Sequence, residues 1–214
     1  MTKVLVIAGA SAVGKTTAVH KIIEKDNRFE LVRSITSRAK RGDSFDSEYI
    51  YVTRDEFLDL IPSGGVLEYT EYSGNLYGTP RSEIERISGE GKVPLLILDL
   101  NGVRSFRQAE GISSCTVYIY DELCVMESRL RERYLSGTPS DEDHKRYNSR
   151  MKQNVTDYLS IGEYEPYLYS FVKSSDIDGT AESVLSVFES FLKKSPKDEK
   201  LSKQIAELLI AMAE

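Results

Sequence analysis

The feature that most constrains the fold is a glycine-rich segment close to the N-terminus. Residues 9–16 read Gly-Ala-Ser-Ala-Val-Gly-Lys-Thr, which matches the pattern G-x-x-x-x-G-K-[S/T] without a departure. The segment follows an apolar run of strand length, Val4 to Ala8, and precedes a helix-like segment. A strand, a tight loop and a helix in this order predict that the loop surrounds phosphate oxygens at the N-terminus of the helix.

Each part of this phosphate loop has a chemical role. The glycines let backbone N–H groups converge on phosphate oxygens, Lys15 adds a cation, and Thr16 supplies a hydroxyl to Mg²⁺. A chance glycine-rich turn is the alternative, but the flanking strand and helix favour a phosphate site. The predicted ATP-binding residues are Gly9, Ala10, Ser11, Ala12, Val13, Gly14, Lys15, Thr16 and Thr17. The motif alone does not identify the reaction that is catalysed, because kinases, ATPases and GTPases all contain it.

Further apolar runs predict the fold class. The runs Val93 to Leu98 and Cys115 to Tyr120 are each followed by a helix-like segment, as the first run is. This alternation is typical of β-α-β units, so we expect an α/β fold of three layers with a parallel central sheet. Short tyrosine-rich segments between the first and second runs predict an inserted lobe with a mixed sheet.

The chain length suits one domain with insertions, which we expect within residues 1–195. The predicted core comprises residues 1–34, 93–122 and 159–195. The predicted nucleotide-binding lobe is inserted at 35–92, and the predicted helical lid spans 123–158. Residues 196–214 predict a C-terminal helical extension, whose apolar residues recur at helical spacing.

Local signals predict where helices begin. Thr53 and Glu56 form a capping box, and Thr79 before Pro80 is a second helix start. In the lid, the stretch 136–139 and the acidic residues 141–143 interrupt the helical pattern, so we expect a flexible connection between two helices there.

The net charge of −6 argues against general nucleic-acid binding, because such binding depends on neutralising backbone phosphates with basic residues. No apolar stretch approaches the roughly eighteen residues that a membrane span requires. We therefore expect a soluble, cytoplasmic protein without a nucleic-acid or membrane partner, either a monomer or a homodimer.

A second basic segment lies at the edge of the expected lobe. Residues 36–43 read Thr-Ser-Arg-Ala-Lys-Arg-Gly-Asp, and guanidinium groups match phosphate oxygens bidentately. Alone, such a loop is usually a solvated surface. Here it is followed by Tyr49, by Leu-Glu-Tyr at 67–69 and by Gly-Asn-Leu-Tyr-Gly-Thr at 74–79.

With the phosphate loop, this order of motifs resembles the guanylate kinase family, and the similarity extends over most of the first 195 residues. The resemblance implies ATP-dependent phosphorylation of GMP, and of dGMP, to the diphosphate. It also implies two sets of GMP-binding residues. The phosphate set is Arg38, Arg41, Tyr49 and Tyr77, and the guanine set is Ser34, Glu68, Thr79 and Asp99.

The chemistry of guanine supports Glu68 independently. Guanine presents an N1–H and an N2 amino group on one edge, and a carboxylate accepts from both, whereas adenine offers no such pair of donors. The alternatives are an exposed acid on a half-buried strand for Glu68 and ordinary sheet packing for Tyr49 and Tyr77.

The arginines of the lid resemble those that reach over bound nucleotides in the family, at Arg129, Arg133 and Arg150. Transfer of a phosphoryl group requires alignment and charge neutralisation, which mobile arginines provide. The alternative is a solvated helix with ion pairs, and Arg146 is a further candidate because the segment 134–149 is longer than the usual connection. The predicted catalytic set is Lys15, Arg38, Asp99, Arg129, Arg133 and Arg150.

The main departure from the family pattern is in the central strand; smaller ones are Ala12 in the phosphate loop and Ser174-Ser175 before the last helix of the domain. The family carries D-x-D near the end of its central strand, whereas Ile97 stands here in the place of the first acid and Asp99 in that of the second. Two other functions stay open: a kinase for a different nucleotide or phosphorylated small molecule, and a non-catalytic module that binds a phosphorylated or acidic peptide. The second ranks lower, because such modules lose the phosphate loop and Lys15 and Thr16 are present.

Overall fold

The computed structural model describes residues 1–40, 49–72 and 74–214, which form an α/β fold with two sheets. The larger sheet has five strands in the described residues, all paired in parallel. In order across the sheet they are β2 (Phe29–Leu31), β7 (Val93–Ile97), β1 (Thr2–Gly9), β8 (Ile112–Tyr120) and β9 (Ser170–Lys173). The predicted parallel sheet is confirmed, and its edge strands β2 and β9 had no clear signal in the sequence.

The central position of β1 explains its composition. Residues 4–8 are entirely buried, with β7 on one side and β8 on the other. A strand that has neighbours on both edges and helices over the sheet is apolar on both faces. Its carboxyl end at Gly9 leads directly into the phosphate loop, which therefore lies at the edge of the sheet where ligands of α/β folds bind.

The smaller sheet belongs to the inserted lobe, and its strand directions are mixed as predicted. Its strands in order are β4 (Tyr49–Tyr51), β3 (Ser34–Thr36), β6 (Asn75–Pro80) and β5 (Val66–Tyr72). The β3–β4 pair is parallel, and β6 pairs antiparallel with both β3 and β5. Ile35, Phe57 and Leu76 form a small core of this lobe, separate from the main core.

Helices cover both sheets and form the lid. Their bounds are α1 (Lys15–Lys25), α2 (Arg54–Leu60), α3 (Arg81–Gly89), α4 (Leu100–Phe106), α5 (Leu123–Leu135), α6 (Asp141–Tyr164), a short 3-10 helix (Glu165–Tyr167), α7 (Ile177–Leu192) and α8 (Glu199–Ala213). In the described part of the chain, none of them is both long and apolar enough to cross a bilayer.

Of three helix starts that can be compared with the sequence-based prediction, one agrees and two are shifted. The predicted capping box of Thr53 and Glu56 is formed at the start of α2. Pro80 occupies the N-cap position of α3 and not its first helical position, so the helix begins one residue later than expected. The acidic residues 141–143 are wrongly predicted as part of the connection. They form the first turn of α6, because Ser140 and Asp143 make a capping box and negative charge is favourable at a helix N-terminus.

The C-terminal helix α8 packs on the body of the protein. Ala206 and Leu209 are buried in the main core, mainly against α6. Before α8, the Lys197 ammonium contacts the Glu165 carboxylate at 2.5 Å, and both side chains are largely shielded from solvent. The extension is therefore attached to the C-terminal end of α6, the long helix that begins in the lid.

Candidate active site

The backbone of the phosphate loop has the conformation that its glycines permit. Gly9 has φ 151°, and a Cβ there would lie 2.3 Å from the Ile119 carbonyl oxygen, so no larger residue fits. Gly14, with φ 107°, precedes the first turn of α1. Ala12 has φ 63°, a left-handed conformation that costs a non-glycine residue about 1 kcal/mol. The loop thus holds its shape at the N-terminus of α1 against some backbone strain.

Lys15 is folded back over the loop that carries it. Its ammonium donates to the carbonyl oxygens of Gly9 at 2.7 Å and Ala10 at 2.8 Å. Burial lowers the pKa of Lys15 to about 8, and the Asp157 carboxylate opposes this shift. A half-buried cation that bonds only carbonyl oxygens can exchange them for phosphate oxygens, which are stronger acceptors.

Two lid arginines lie beside the phosphate loop. Arg133 of α5 and Arg150 of α6 line a cavity of about 230 Å³ together with Lys15 and the exposed Thr16. The cavity therefore has cations on two sides and the start of α1 between them. Such a site suits a group with several negative oxygens.

Arg129 contacts the outer side of the same loop. Its Nη1 donates to the carbonyl oxygens of Ala12 and Val13, both at 3.2 Å, and its Nη2 lies 3.5 Å from the Asp121 carboxylate. A second cavity of about 560 Å³ adjoins it. Its lining residues other than those of the loop and the lid are Ala18, Ser174, Ser175, Ile177 and Thr180. This cavity extends from the phosphate loop to the start of α7, a place that suits the nucleoside part of a bound nucleotide.

In the lobe, Arg38 lies among aromatic side chains. Its Nη2 donates to the Tyr51 hydroxyl at 3.0 Å, and its guanidinium lies 5.4 Å from the centre of the Tyr49 ring. Tyr77 contacts Tyr49 edge to face, with ring centres 6.1 Å apart. Ser34 pairs with Tyr49 in the register of β3 and β4. Arg41, the other predicted phosphate ligand of this segment, lies outside the described residues.

Glu68 is a buried carboxylate near the junction of the lobe and the core. It is 8% exposed, and its Oε1 accepts from the Thr79 hydroxyl at 2.6 Å. Burial raises the pKa of Glu68 to about 7, and the nearby Asp99 adds to the shift. Asp99 caps α4 by accepting from the Gly102 N–H at 2.7 Å. A Cβ at Gly102 would lie 3.2 Å from the Glu68 carboxylate and 3.3 Å from the Asp99 carboxylate, so both carboxylates lie close to this glycine.

The site thus combines a phosphate loop, lid arginines, an arginine among tyrosines, and a buried carboxylate. A family model described as "Guanylate kinase" matches residues 1–191 of the chain. The chain belongs to the guanylate kinase family.

Individual guanylate kinases are similar over most of their length. That of Lactobacillus delbrueckii subsp. bulgaricus is 32% identical over 206 residues, which are 91% of this chain and 97% of that protein. That of Lactococcus lactis subsp. lactis is 40% identical over 187 residues, 87% of this chain and 86% of that protein. The crystal structure of guanylate kinase from Anaplasma phagocytophilum is similar with a TM-score of 0.62 at 24% identity. The matched region includes 88% of this chain and 85% of that one. That last similarity concerns the fold.

Several residues that match the guanylate kinase motifs lie in three groups. Lys15 and Thr16 share a cavity with Arg133 and Arg150, while Arg38 lies beside Tyr49 and Tyr77, and Glu68 lies with Thr79 and Asp99. Arg146 is not in these groups. It forms an exposed ion pair with Glu142 one turn earlier in α6, and it is not among the residues that line the phosphate cavity, whereas Arg150 is.

Sequence reasoning missed three residues at the site. Tyr51 bonds Arg38, and its position two residues after Tyr49 on a strand places both on one face. Asn154 contacts the phosphate loop from α6, four residues after Arg150. Asp157 interacts electrostatically with Lys15 and Asp99, and burial raises the pKa of its carboxyl group. The helical spacing from Arg150 was the available signal for Asn154 and Asp157.

The place of the missing family acid is apolar. Ile97 ends β7 and pairs with Ile7 in the central sheet. Within the described residues, no group of three or more histidine, cysteine and acidic side chains is able to hold a metal ion. This arrangement still fits Mg²⁺, which keeps several waters and takes few protein ligands, because Thr16 lines the phosphate cavity and can supply a hydroxyl.

Proposed function

We propose that this member of the guanylate kinase family phosphorylates GMP to GDP, with ATP as the donor, by direct in-line transfer. The observation that carries the proposal is the buried Glu68 carboxylate, held by Thr79 and bordered by Gly102. A carboxylate in this enclosed position accepts from the N1–H and N2 amino groups of guanine, and no other common base presents that pair of donors on one edge.

The donor nucleotide binds to the phosphate loop in this proposal. Backbone N–H groups of residues 9–17, other than the Ser11 N–H, which donates to Asn154, bind the phosphates at the start of α1. The Lys15 ammonium leaves its two carbonyl partners for phosphate oxygens. The nucleoside occupies the larger cavity toward Ser174 and Ser175. Thr16 holds Mg²⁺, which when bound neutralises charge on the phosphates.

The acceptor nucleotide binds to the lobe. Arg38 and Arg41 bind the GMP phosphate, with hydroxyl groups from Tyr49 and Tyr77. Ser34, Glu68, Thr79 and Asp99 contact the base. Tyr51 holds the Arg38 guanidinium through its hydroxyl, so we add it as a positioning residue. In this arrangement the acceptor phosphate approaches the end of the ATP phosphates from the lobe side.

The lid supplies charge at the transferred group. Arg129, Arg133 and Arg150 neutralise the negative charge that spreads over the moving phosphoryl group, and Lys15 does so from the loop side. Movement of the lobe and of the lid over both nucleotides excludes water, which limits hydrolysis of ATP. No covalent intermediate is required, because the phosphate of GMP is itself the nucleophile.

The test is ADP release from Mg-ATP by the purified protein, with GMP, dGMP, AMP, CMP and UMP offered as acceptors at matched concentrations. The proposal predicts strong release with GMP and dGMP and little with the other three. Release with a different acceptor would reassign the base pocket while keeping the kinase. An absence of release with every acceptor would overturn the catalytic proposal and favour a binding module.

A further inference from the structure

A buried asparagine links the long lid helix to the phosphate loop. Asn154 of α6 is entirely buried. Its Oδ1 accepts from the Ser11 backbone N–H at 2.7 Å, and its Nδ2 donates to the Ser11 carbonyl oxygen at 3.1 Å. One side chain therefore satisfies both backbone polar groups of one loop residue, 143 positions away in the sequence.

An apolar residue would be expected at this position if packing alone mattered. Tyr158 and Ile161, the next residues on the same face of α6, are buried in the main core, and Met126 of α5 lies beside the Asn154 amide. A buried amide is costly unless its partners are satisfied. The partners here are the N–H and C=O of Ser11, which lies between β1 and α1 and belongs to neither element. The Asn154 amide therefore pairs two backbone groups that the strand and the helix do not pair.

The same helix carries an arginine of the phosphate cavity. Arg150 precedes Asn154 by four residues, about one turn or 6 Å along α6, and lies on the same face. Arg150 lines the phosphate cavity with Lys15 and Ser11. Ser11 is four residues before Lys15 in the loop. Asn154 thus joins the element that carries the lid cation to the element that carries the loop cation.

We propose that Asn154 is a positioning residue that holds α6 and the phosphate loop in one register, so that Arg150 and Lys15 face the same phosphoryl group. This inference rests on the proposed kinase function. A displacement of about 1 Å between reacting groups and their stabilising charges lowers the rate by up to about a hundredfold, so loss of the register reduces turnover more than binding.

The experiment compares Asn154→Leu and Asn154→Ala with the wild type, in steady-state kinetics with ATP and GMP. Leucine fills the space without either hydrogen bond, and alanine controls for a misfit of leucine. The expected kcat of Asn154→Leu is about ten- to a hundredfold below that of the wild type, and the expected KM for GMP is within about twofold of the wild-type value. Val184→Ala, a buried residue of α7 outside both cavities, controls for a general loss of stability.

A double-mutant cycle with Arg150→Ala separates positioning from simple structural support. If Asn154 acts through Arg150, its removal in the Arg150→Ala background reduces kcat by less than about threefold. Equal losses in the two backgrounds, or an unchanged kcat in Asn154→Leu, would overturn the proposal.

Hydrogen exchange of the Ser11 amide tests the contact without any turnover. The amide is expected to exchange at least about tenfold faster in Asn154→Leu than in the wild type. A wild type without GMP-dependent turnover would contradict the proposed function, and the exchange rate would still decide whether Asn154 holds the loop. Equal exchange rates in the two proteins would overturn the positioning role by themselves.

Discussion

At the scale of single residues, the site depends on charges that are held in unfavourable surroundings. Glu68 is 8% exposed, and its pKa of about 7 lies well above the ordinary value for a glutamate. The ionised form therefore carries a desolvation cost of about 3 kcal/mol, and in the proposed function a pair of donors from the guanine base offsets this cost. Lys15 has the complementary property, since burial lowers its pKa and bound phosphate favours its charged form.

The raised pKa of Glu68 predicts a pH dependence of GMP binding. The proton and the guanine edge compete for the carboxylate, so the KM for GMP rises as the pH falls below about 7, by about tenfold between about pH 8 and about pH 6. Steady-state kinetics at saturating ATP measure this. The GMP phosphate titrates in the same range, so Glu68→Gln is the control. Its KM is higher, and the part of the pH dependence due to Glu68 is absent.

The same residue predicts a gain of stability when it is neutralised. The folded-state pKa of Glu68 is above its unfolded value, so the penalty is complete above about pH 7 and absent below about pH 4.5, where both states are protonated. Glu68→Gln is expected to raise the free energy of unfolding by up to about 3 kcal/mol at about pH 8, with the gain vanishing as the pH falls. Urea denaturation at several pH values checks this, and a constant or negative difference would contradict it.

At the scale of elements, the phosphate loop combines a required glycine with a tolerated strain. A Cβ at Gly9 would lie 2.3 Å from the Ile119 carbonyl oxygen, which excludes a larger residue. Ala12 carries a Cβ and still adopts a left-handed conformation. The sequence motif predicted the loop, because these demands are local and specific to glycine. It did not predict which loop residue contacts the lid, because that depends on the packing of α6.

Two glycine substitutions distinguish a steric clash from backbone strain by their effect on the free energy of unfolding. Gly9→Ala is expected to lower the free energy of unfolding by about 3 kcal/mol or more, since the added Cβ would lie 2.3 Å from a backbone oxygen. Gly137→Ala, at φ 76° with no atom near its Cβ, is expected to cost only about 1 kcal/mol. Chemical denaturation of both variants measures the difference, and similar costs would contradict the steric role of Gly9.

At the scale of the whole molecule, α6 connects the lid to the core and to the C-terminal extension. Its first turn is capped by Ser140, its middle contacts Ser11, and near its end the Tyr164 hydroxyl donates to Asn101 at 2.7 Å. Helix α8 packs on this last part and lies beyond the residues that match the family model. Helix α8 thus shares the main core although it lies outside the matched residues.

Neighbouring leucines of α8 test this attachment. Leu209 is entirely buried and Leu208 is 47% exposed. Leu209→Ala is expected to lower the free energy of unfolding by about 3 kcal/mol, and Leu208→Ala by less than about 1 kcal/mol. Both variants are expected to keep the wild-type kcat. Equal effects on thermal unfolding would mean that α8 does not pack on the core as described.

The phosphate loop, the three central strands, the mixed sheet and the family were all predictable from the order of residues, because each depends on local residue chemistry. The tertiary structure decided which distant groups meet. Asn154 contacts Ser11, burial raises the pKa of Glu68, and the short strands β2 and β9 form by pairing with β7 and β8. The physical reason is that desolvation and contacts across more than a hundred residues arise from packing, which the order of residues specifies only through the folded chain.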